Sequence, residues 1–212
     1  MPPTLVNVAV GVLLGCALLG AAFDRRSIAI VAAAAALPDA DVLLEPLLPG
    51  ATNAAFHTLL IPTAVTLLLY WETNRQQSWL RERWGAYGVR VAWVALASYL
   101  VAGIGLDLFT VEGIALLFPL SDAVYGISGK FVLSTQEGVV FTYLRPESDG
   151  ALPLWYLGEA SDHRVDSWLS PTDGERRLRL VDFGYHLVIV VSAAATLIAR
   201  FVVERRWPPE GR

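Results

Sequence analysis

The chain is short of the residues on which water-soluble enzymes depend. Of 212 residues only 17% are charged, against about 25% in an ordinary soluble domain. Lysine occurs once, at Lys130, and cysteine once, at Cys16. One cysteine excludes an intrachain disulfide and any zinc site built from cysteine pairs. A basic excess is missing too. A net charge of −4 and a pI near 5.4 argue against nucleic acid as a partner, since that calls for a basic face. The sequence holds no Gly-rich phosphate loop, no GxSxG elbow and no HExxH helix. Catalysis by a Ser/His/Asp set has no serine in a recognisable context.

What the chain does have is apolar surface: 55% of its residues are hydrophobic and the mean hydropathy is +0.50. That excess predicts an integral membrane protein, mainly α, a polytopic bundle of about five transmembrane helices with a small mixed extramembrane lobe. A crossing takes about 20 residues, range about 17–25. Five stretches qualify: Leu5–Phe23; Ile28–Leu48, interrupted by Asp39, Asp41 and Glu45; Ala54–Trp71; Val89–Phe109; and Phe183–Val203. The first ends its Leu13-Leu14-Gly15-Cys16 stretch like a lipoprotein cleavage site. It lacks the cationic start of a signal peptide and runs on to Phe23, so it reads as a retained helix. Gly11 and Gly15 in it form a GxxxG, which suits close helix packing.

Residues 1–109 thus carry four spans, 110–182 the lobe, and 183–212 the fifth span and a tail. The lobe is richer in Gly, Pro, Ser and charge, and Lys130–Leu144 sets strand-formers around Glu137-Gly138, which predicts a hairpin. Arg25 and Arg26 follow span one, Arg75, Arg81, Arg83 and Arg90 lie around the loop between spans three and four, and Arg205, Arg206 and Arg212 follow span five. The connection between spans two and three has no Lys or Arg. The positive-inside rule then places the N-terminus outside and the C-terminus in the cytoplasm, in the cell membrane, with the lobe outside. The lipid bilayer is the one partner this predicts. Trp71, Trp79, Trp84 and Trp93 gather around the cytoplasmic loop, as interface anchors do.

Three polar elements fall at the outer flank. Pro38-Asp39-Ala40-Asp41 lies toward the outer end of span two, His57 in the first turn of span three, and Asp107 near the outer end of span four. A charge at the bilayer centre costs at least about 2.5–3.5 kcal/mol, and carboxylates crowded together repel unless a cation joins them. If Asp39 and Asp41 bind one ion, the chain at Pro38 must leave the α-helix, because residues i and i+2 diverge there. Such a site would hold a divalent ion through Asp39, Asp41, His57 and Asp107, with Asp41 and His57 as the catalytic pair and Asp41 a candidate general base. The same residues also read as helix ends and an interfacial histidine. Spacing alone leaves both readings open. His186, one turn after Asp182 at the start of span five, is a further candidate ligand, with Asp182 orienting its ring; it too reads as a merely interfacial histidine. His163 and the Glu175–Arg179 run lie in polar loop sequence and read as solvated.

The patterns LPDAD (37–41), FHTLLIP (56–62) and GLDLFTVEGIALLFPLSD (105–122) resemble the membrane-bound metal-dependent hydrolase family, which includes the LexA-regulated inner-membrane hydrolases of bacteria and archaeal relatives. The resemblance covers roughly residues 5–122. It implies that Asp39 and Asp41 are the aspartates of an LPDxD motif, His57 the second histidine of HRGxTHS with Thr58 for its serine, and Asp107, Thr110 and Gly113 the DxxTxxG of the last motif, followed by Pro119. Three histidines of the family pattern are missing: Asn7, Thr52 and Gly103 stand in their places. The resemblance implies metal-assisted hydrolysis of a small-molecule or lipid substrate. A donor set of aspartates with one or two histidines suits Mg²⁺ or Mn²⁺ better than Zn²⁺. A degenerate member that binds a cation without turnover is the alternative.

Overall fold

A computed structural model of the chain describes residues 2–48, 51–110, 112–127, 131–136, 138–141, 154–160 and 179–206. The first helix, α1 (Thr4–Leu18), is apolar around its whole circumference. Between apolar helices in lipid no hydrophobic driving force remains, so close van der Waals approach must hold them together. Gly11 and Gly15 supply it. A Cβ on Gly11 would lie 2.6 Å from both the Ala35 Cβ and the Ser98 Oγ, and one on Gly15 2.5 Å from the Ile28 Cδ1. The GxxxG is therefore the seat on which the second helix packs.

That helix, α2 (Arg25–Ala36), opens with a capping box: Asp24 accepts from the Ser27 N–H at 2.7 Å and Ser27 Oγ accepts from the Asp24 N–H at 2.8 Å. It ends at Ala36: Leu37 keeps αR angles, but Pro38 has no N–H with which to continue the i to i−4 ladder. The chain then tightens into a 3-10 segment, Pro38–Leu43, and α3 begins at Leu60 and runs to Asn74. α4 (Trp79–Ser98) starts on a Ser78 cap, breaks at Gly85 (φ 61°) and continues through a π-helical stretch, Tyr99–Gly105, into the short α5 (Leu106–Leu108). α6 spans Gly184–Arg206. Leu19, Phe23 and Val31, all wholly buried, form the centre of the bundle with Val91, Val94 and Ala193, and Phe23 meets Phe201 of α6 at 5.0 Å. Cys16 is buried in this core.

Beyond α5 the chain leaves the helices. β1 (Ala123–Ile127) pairs antiparallel with β4 (Leu154–Glu159), and β2 (Phe131–Ser134) with β3 (Gly138–Phe141) in register Ser134 to Gly138. The expected hairpin is thus present as β2–β3; Lys130 and residues 142–144 lie outside the described residues, as do His163 and the run from Glu175 to Leu178.

The protein is mainly helical with a small β lobe, as composition predicts, but the elements are shorter than the expected spans. Among the described residues, two helical stretches are long and apolar enough to cross a membrane, Trp79–Leu108 and Gly184–Arg206. α1 is apolar but has 15 residues, about 22 Å of helix at 1.5 Å per residue. Stretch 28–48 is not one helix, because Pro38 ends the α-helix, and Ala54–Leu59 precede α3 as turns. His57 therefore stands in an irregular loop before α3, not in its first turn. Large apolar side chains face outward along α3 and α6, among them Leu67, Leu68, Val188, Val191 and Ile198. An apolar surface of that extent requires an apolar surrounding.

Candidate metal centre

The two acidic elements meet on the imidazole of the third, His57. The His57 Nδ1 lies 2.8 Å from Asp41 Oδ2, and Nε2 lies 2.9 Å from Asp107 Oδ2 and 3.7 Å from Asp39 Oδ1. Asp39 is 7% exposed, and His57, Asp41 and Asp107 are wholly buried. One donor atom each from Asp39, His57 and Asp107 lies within 4.8 Å of the other two, a group of the size that holds a metal ion.

Each arm has a local cause. The 3-10 turn after Pro38 sends Asp39 and Asp41 to different sides of the ring: Asp39 toward Nε2, Asp41 onto Nδ1. The expected departure from α-helix is there, but it does not converge both carboxylates on one point. Asp41 orients the histidine while Asp39 flanks the nitrogen left over. Asp107 follows the π-helical stretch, whose wider turn resets which face of the helix the next residues occupy. Thr110 donates from its N–H and its hydroxyl to the Asp107 carbonyl, at 3.0 and 2.7 Å, and closes α5 there.

The His57 loop is tied down from two directions. Tyr99 of the π stretch donates its hydroxyl to the Phe56 carbonyl. From the lobe side, Leu116 O accepts from the Leu59 N–H at 2.8 Å and the Thr58 hydroxyl at 3.1 Å, while Asn53 exchanges hydrogen bonds with Gly113 and Ala115. Gly113 has φ +63°, and a Cβ there would strike the Tyr125 carbonyl oxygen at 2.6 Å. The motif around Asp107, Thr110 and Gly113 therefore brackets the histidine from both sides.

The positions where histidines are missing have distinct fates. Thr52 donates from its N–H and its hydroxyl to Glu45 Oε2 at 3.1 and 2.9 Å, a tie within the loop. Gly103 lies against Pro38: a Cβ would sit 2.5 Å from the proline Cγ, so no side chain fits there without moving the segment that carries Asp39. Asn7 belongs to the site itself. Its Nδ2 donates to both oxygens of Asp39, at 3.2 and 3.3 Å, from a wholly buried side chain. Sequence reading marked Asn7 only as an absent histidine and passed over Tyr99. The available signal was that Asn7 is the one amide in a span of apolar and small residues.

His186 is not brought into the group. It is buried at the head of α6 between the rings of Phe183 and Tyr185, and its Nδ1 faces the Asp182 N–H at 3.4 Å. The Asp182 carboxylate, expected to orient it, pairs with Arg179 instead, at 2.6 and 3.1 Å. The Arg179 guanidinium holds that carboxyl below its ordinary pKa against the opposing effect of burial.

Do these residues fit a cation? The cluster gathers three carboxyl groups around one imidazole, a set rich in oxygen donors. Among the described residues, Asp41 Oδ1, Asp107 Oδ1 and Asn7 Oδ1 are buried with no hydrogen-bond partner. Buried oxygens without donors are rare, and Asp107 Oδ1 belongs to the very group whose donor atoms lie within 4.8 Å of one another. The donor set fits a divalent ion.

Fold and site together define a helical membrane protein with a buried Asp–His–Asp centre beneath a small β lobe. The chain belongs to the YdjM inner membrane protein family, whose model matches residues 3–165. It is accordingly a protein of the membrane and associates with the lipid bilayer. No curated protein and no solved structure matches it.

Proposed function

We propose that the chain is a membrane-embedded metal-dependent hydrolase that acts at the outer membrane face on a small or lipid-derived substrate with a phosphoryl or carbonyl centre. The observation that carries this reading is the buried Asp39–His57–Asp107 group, with Asp107 Oδ1 unpartnered among the described residues. The helices run in the membrane as a five-span bundle, the short ones completed by the non-helical segments that hold the site. Irregular backbone at that depth is tolerated where it lines a polar cavity. The N-terminus lies outside and the C-terminus in the cytoplasm. Support comes from the far end of the bundle, where Arg90 donates to the Leu18 carbonyl and Arg200 to that of Gly20, so arginines of α4 and α6 share one end with Arg25 and Arg26. Single cysteines at Arg81 and Leu133, in a Cys16→Ser background, test this: labelling by an impermeant thiol reagent at position 133 but not 81 is expected, and both on one side refutes it.

Asp39, Asp107 and the His57 Nε2 would hold the ion. A bound divalent cation supplies Lewis acidity and lowers the pKa of a water beside it. Asp41 accepts the Nδ1 proton of His57, which fixes the tautomer with Nε2 as a free lone pair. Asp41 is thereby committed to the ring, and Asp107 Oδ1, which has no hydrogen-bond partner among the described residues, would be the oxygen free to accept a proton. Mg²⁺ or Mn²⁺ fits this oxygen-rich set better than Zn²⁺. Metal analysis of the detergent-purified protein tests the reading. One ion per chain, lost in Asp39→Asn and Asp107→Asn, is expected; none in the wild type sinks it.

One observation favours a second reading, a non-catalytic member of the family. Both His57 nitrogens already have a carboxylate within 2.9 Å, so a protonated imidazole can brace the three elements with no ion. That reading requires a melting temperature indifferent to chelator.

A further inference from the structure

The Asn7 amide touches the centre without being consumed by it. Its nitrogen donates to Asp39, whose Oδ1 is 3.7 Å from His57 Nε2, while its own Oδ1 is buried and has no donor among the described residues. The helix that carries it cannot drift away, because Gly11, one turn on, is locked against Ala35 and Ser98. A buried amide oxygen with no hydrogen-bond partner among the described residues, on the same amide whose nitrogen touches the Asp39 carboxylate, is available as a ligand of a hard cation, which takes amide oxygens readily. The amide also has a way to reach it: turning about its last torsion exchanges nitrogen and oxygen without moving α1, and it does so when a cation draws off the Asp39 charge that holds the nitrogen.

We propose that Asn7 is the fourth protein ligand of this centre, through Oδ1. The donor set is then three oxygens and one imidazole nitrogen, from α1, the 3-10 turn, the His57 loop and α5. This rests on the metal-centre reading above, which it deepens by adding a ligand and weighting the site toward oxygen. For any such site raw affinity still rises from Mn²⁺ to Zn²⁺, so the consequence lies in the size of that gap: a carbonyl at position 7 keeps it small.

The test uses full-length protein in detergent micelles and measures Mn²⁺ and Zn²⁺ binding separately by equilibrium dialysis. Asn7→Ala is expected to weaken Mn²⁺ at least about tenfold, with Asn7→Ser as the smaller polar replacement should the alanine variant fail to fold. Asn7→His then reports whether position 7 reaches the ion at all. Electron spin echo modulation of the Cu²⁺-loaded protein is expected to show one imidazole in the wild type and two in Asn7→His, with the Zn²⁺ to Mn²⁺ affinity ratio rising at least about tenfold as nitrogen replaces oxygen. Wild-type Mn²⁺ affinity in Asn7→Ala and Asn7→Ser, or a single imidazole in Asn7→His, overturns the assignment. A wild type that binds neither ion overturns the metal centre itself, which is a different failure.

Discussion

The two ends of the helix bundle use aspartate in opposite ways. At the arginine-rich end, Asp24 caps α2, receives the Ser27 N–H and the Tyr87 hydroxyl, and ties α2 to α4. Both of these partners donate to its carboxylate. At the other end Asp39, Asp41 and Asp107 crowd one histidine, wholly or nearly buried, and among the described residues Asp41 and Asp107 each keep one oxygen without a close hydrogen-bond partner. The first arrangement stabilises the fold. The second destabilises it, since each buried unsatisfied oxygen costs about 1–3 kcal/mol and more when charged. Proteins tolerate such broken local rules chiefly at functional sites, so the contrast is what directs the proposed function to the acidic end.

The largest effects should come from breaking the acidic end. His57→Ala and Asp107→Asn remove a proposed ligand outright, and dialysis against Mn²⁺ is expected to show affinity lowered more than about 100-fold, beyond what loss of an orienting partner does. Their melting temperatures without metal should hold or rise for Asp107→Asn, where a buried charge is removed, and fall for His57→Ala, which strands three carboxylates. Asp41→Asn sharpens the comparison. An orienting residue should cost about 10–100-fold in affinity, leaving measurable binding; complete loss would make Asp41 a ligand instead.

Much of this was legible in the residues, and unevenly so. The three site-bearing segments were readable because LPDAD, the histidine before α3 and the aspartate in α5 each place a polar group where apolar sequence surrounds it. Proline at 38 announced the departure from helix. What the sequence could not give was direction. A 3-10 turn and an α-helix carry the same letters, and only the turn's angle decides that Asp41 meets Nδ1 while Asp39 faces Nε2. The π-helical stretch before Asp107 has no sequence mark at all in YLVAGIG. Span ends were overdrawn for a related reason: apolar composition continues through Val42, Leu43, Leu44 and Leu47 although the α-helix has stopped.

Glycines extend the comparison at smaller scale. At Gly103 a Cβ would meet the Pro38 ring at 2.5 and 3.0 Å and the Ala35 carbonyl oxygen at 3.2 Å, and neither a proline ring nor backbone can swing aside. Gly103→Ala should therefore cost about 1–3 kcal/mol through overpacking, read as a lower melting temperature, and weaken Mn²⁺ binding as Asp39 is displaced. Gly184→Ala is the matched control, because nothing lies within 4 Å of its Cβ position. Equal melting shifts for the two variants would show that the close approach at Pro38 contributes nothing.

The smallest effect belongs to the arginine-rich end, and its pH dependence separates it from the site. Burial opposes the Asp24 carboxylate, but the Ser27 and Arg26 N–H groups and the Tyr87 hydroxyl outweigh it and hold its pKa below the ordinary value. A group depressed in the folded state contributes stability above its unfolded pKa and loses it as pH falls through the folded one. Asp24→Ala should cost about 1 kcal/mol at neutral pH, the usual effect of losing a helix cap, and leave cation binding unchanged. The difference in melting temperature between wild type and variant should shrink as the solution is acidified below the unfolded aspartate pKa, about 3.9. A difference that persists in acid would mean that Asp24 acts through packing rather than charge. Loss of Mn²⁺ affinity in Asp24→Ala would mean that the two ends of the bundle are coupled, and the division of labour between them would not hold.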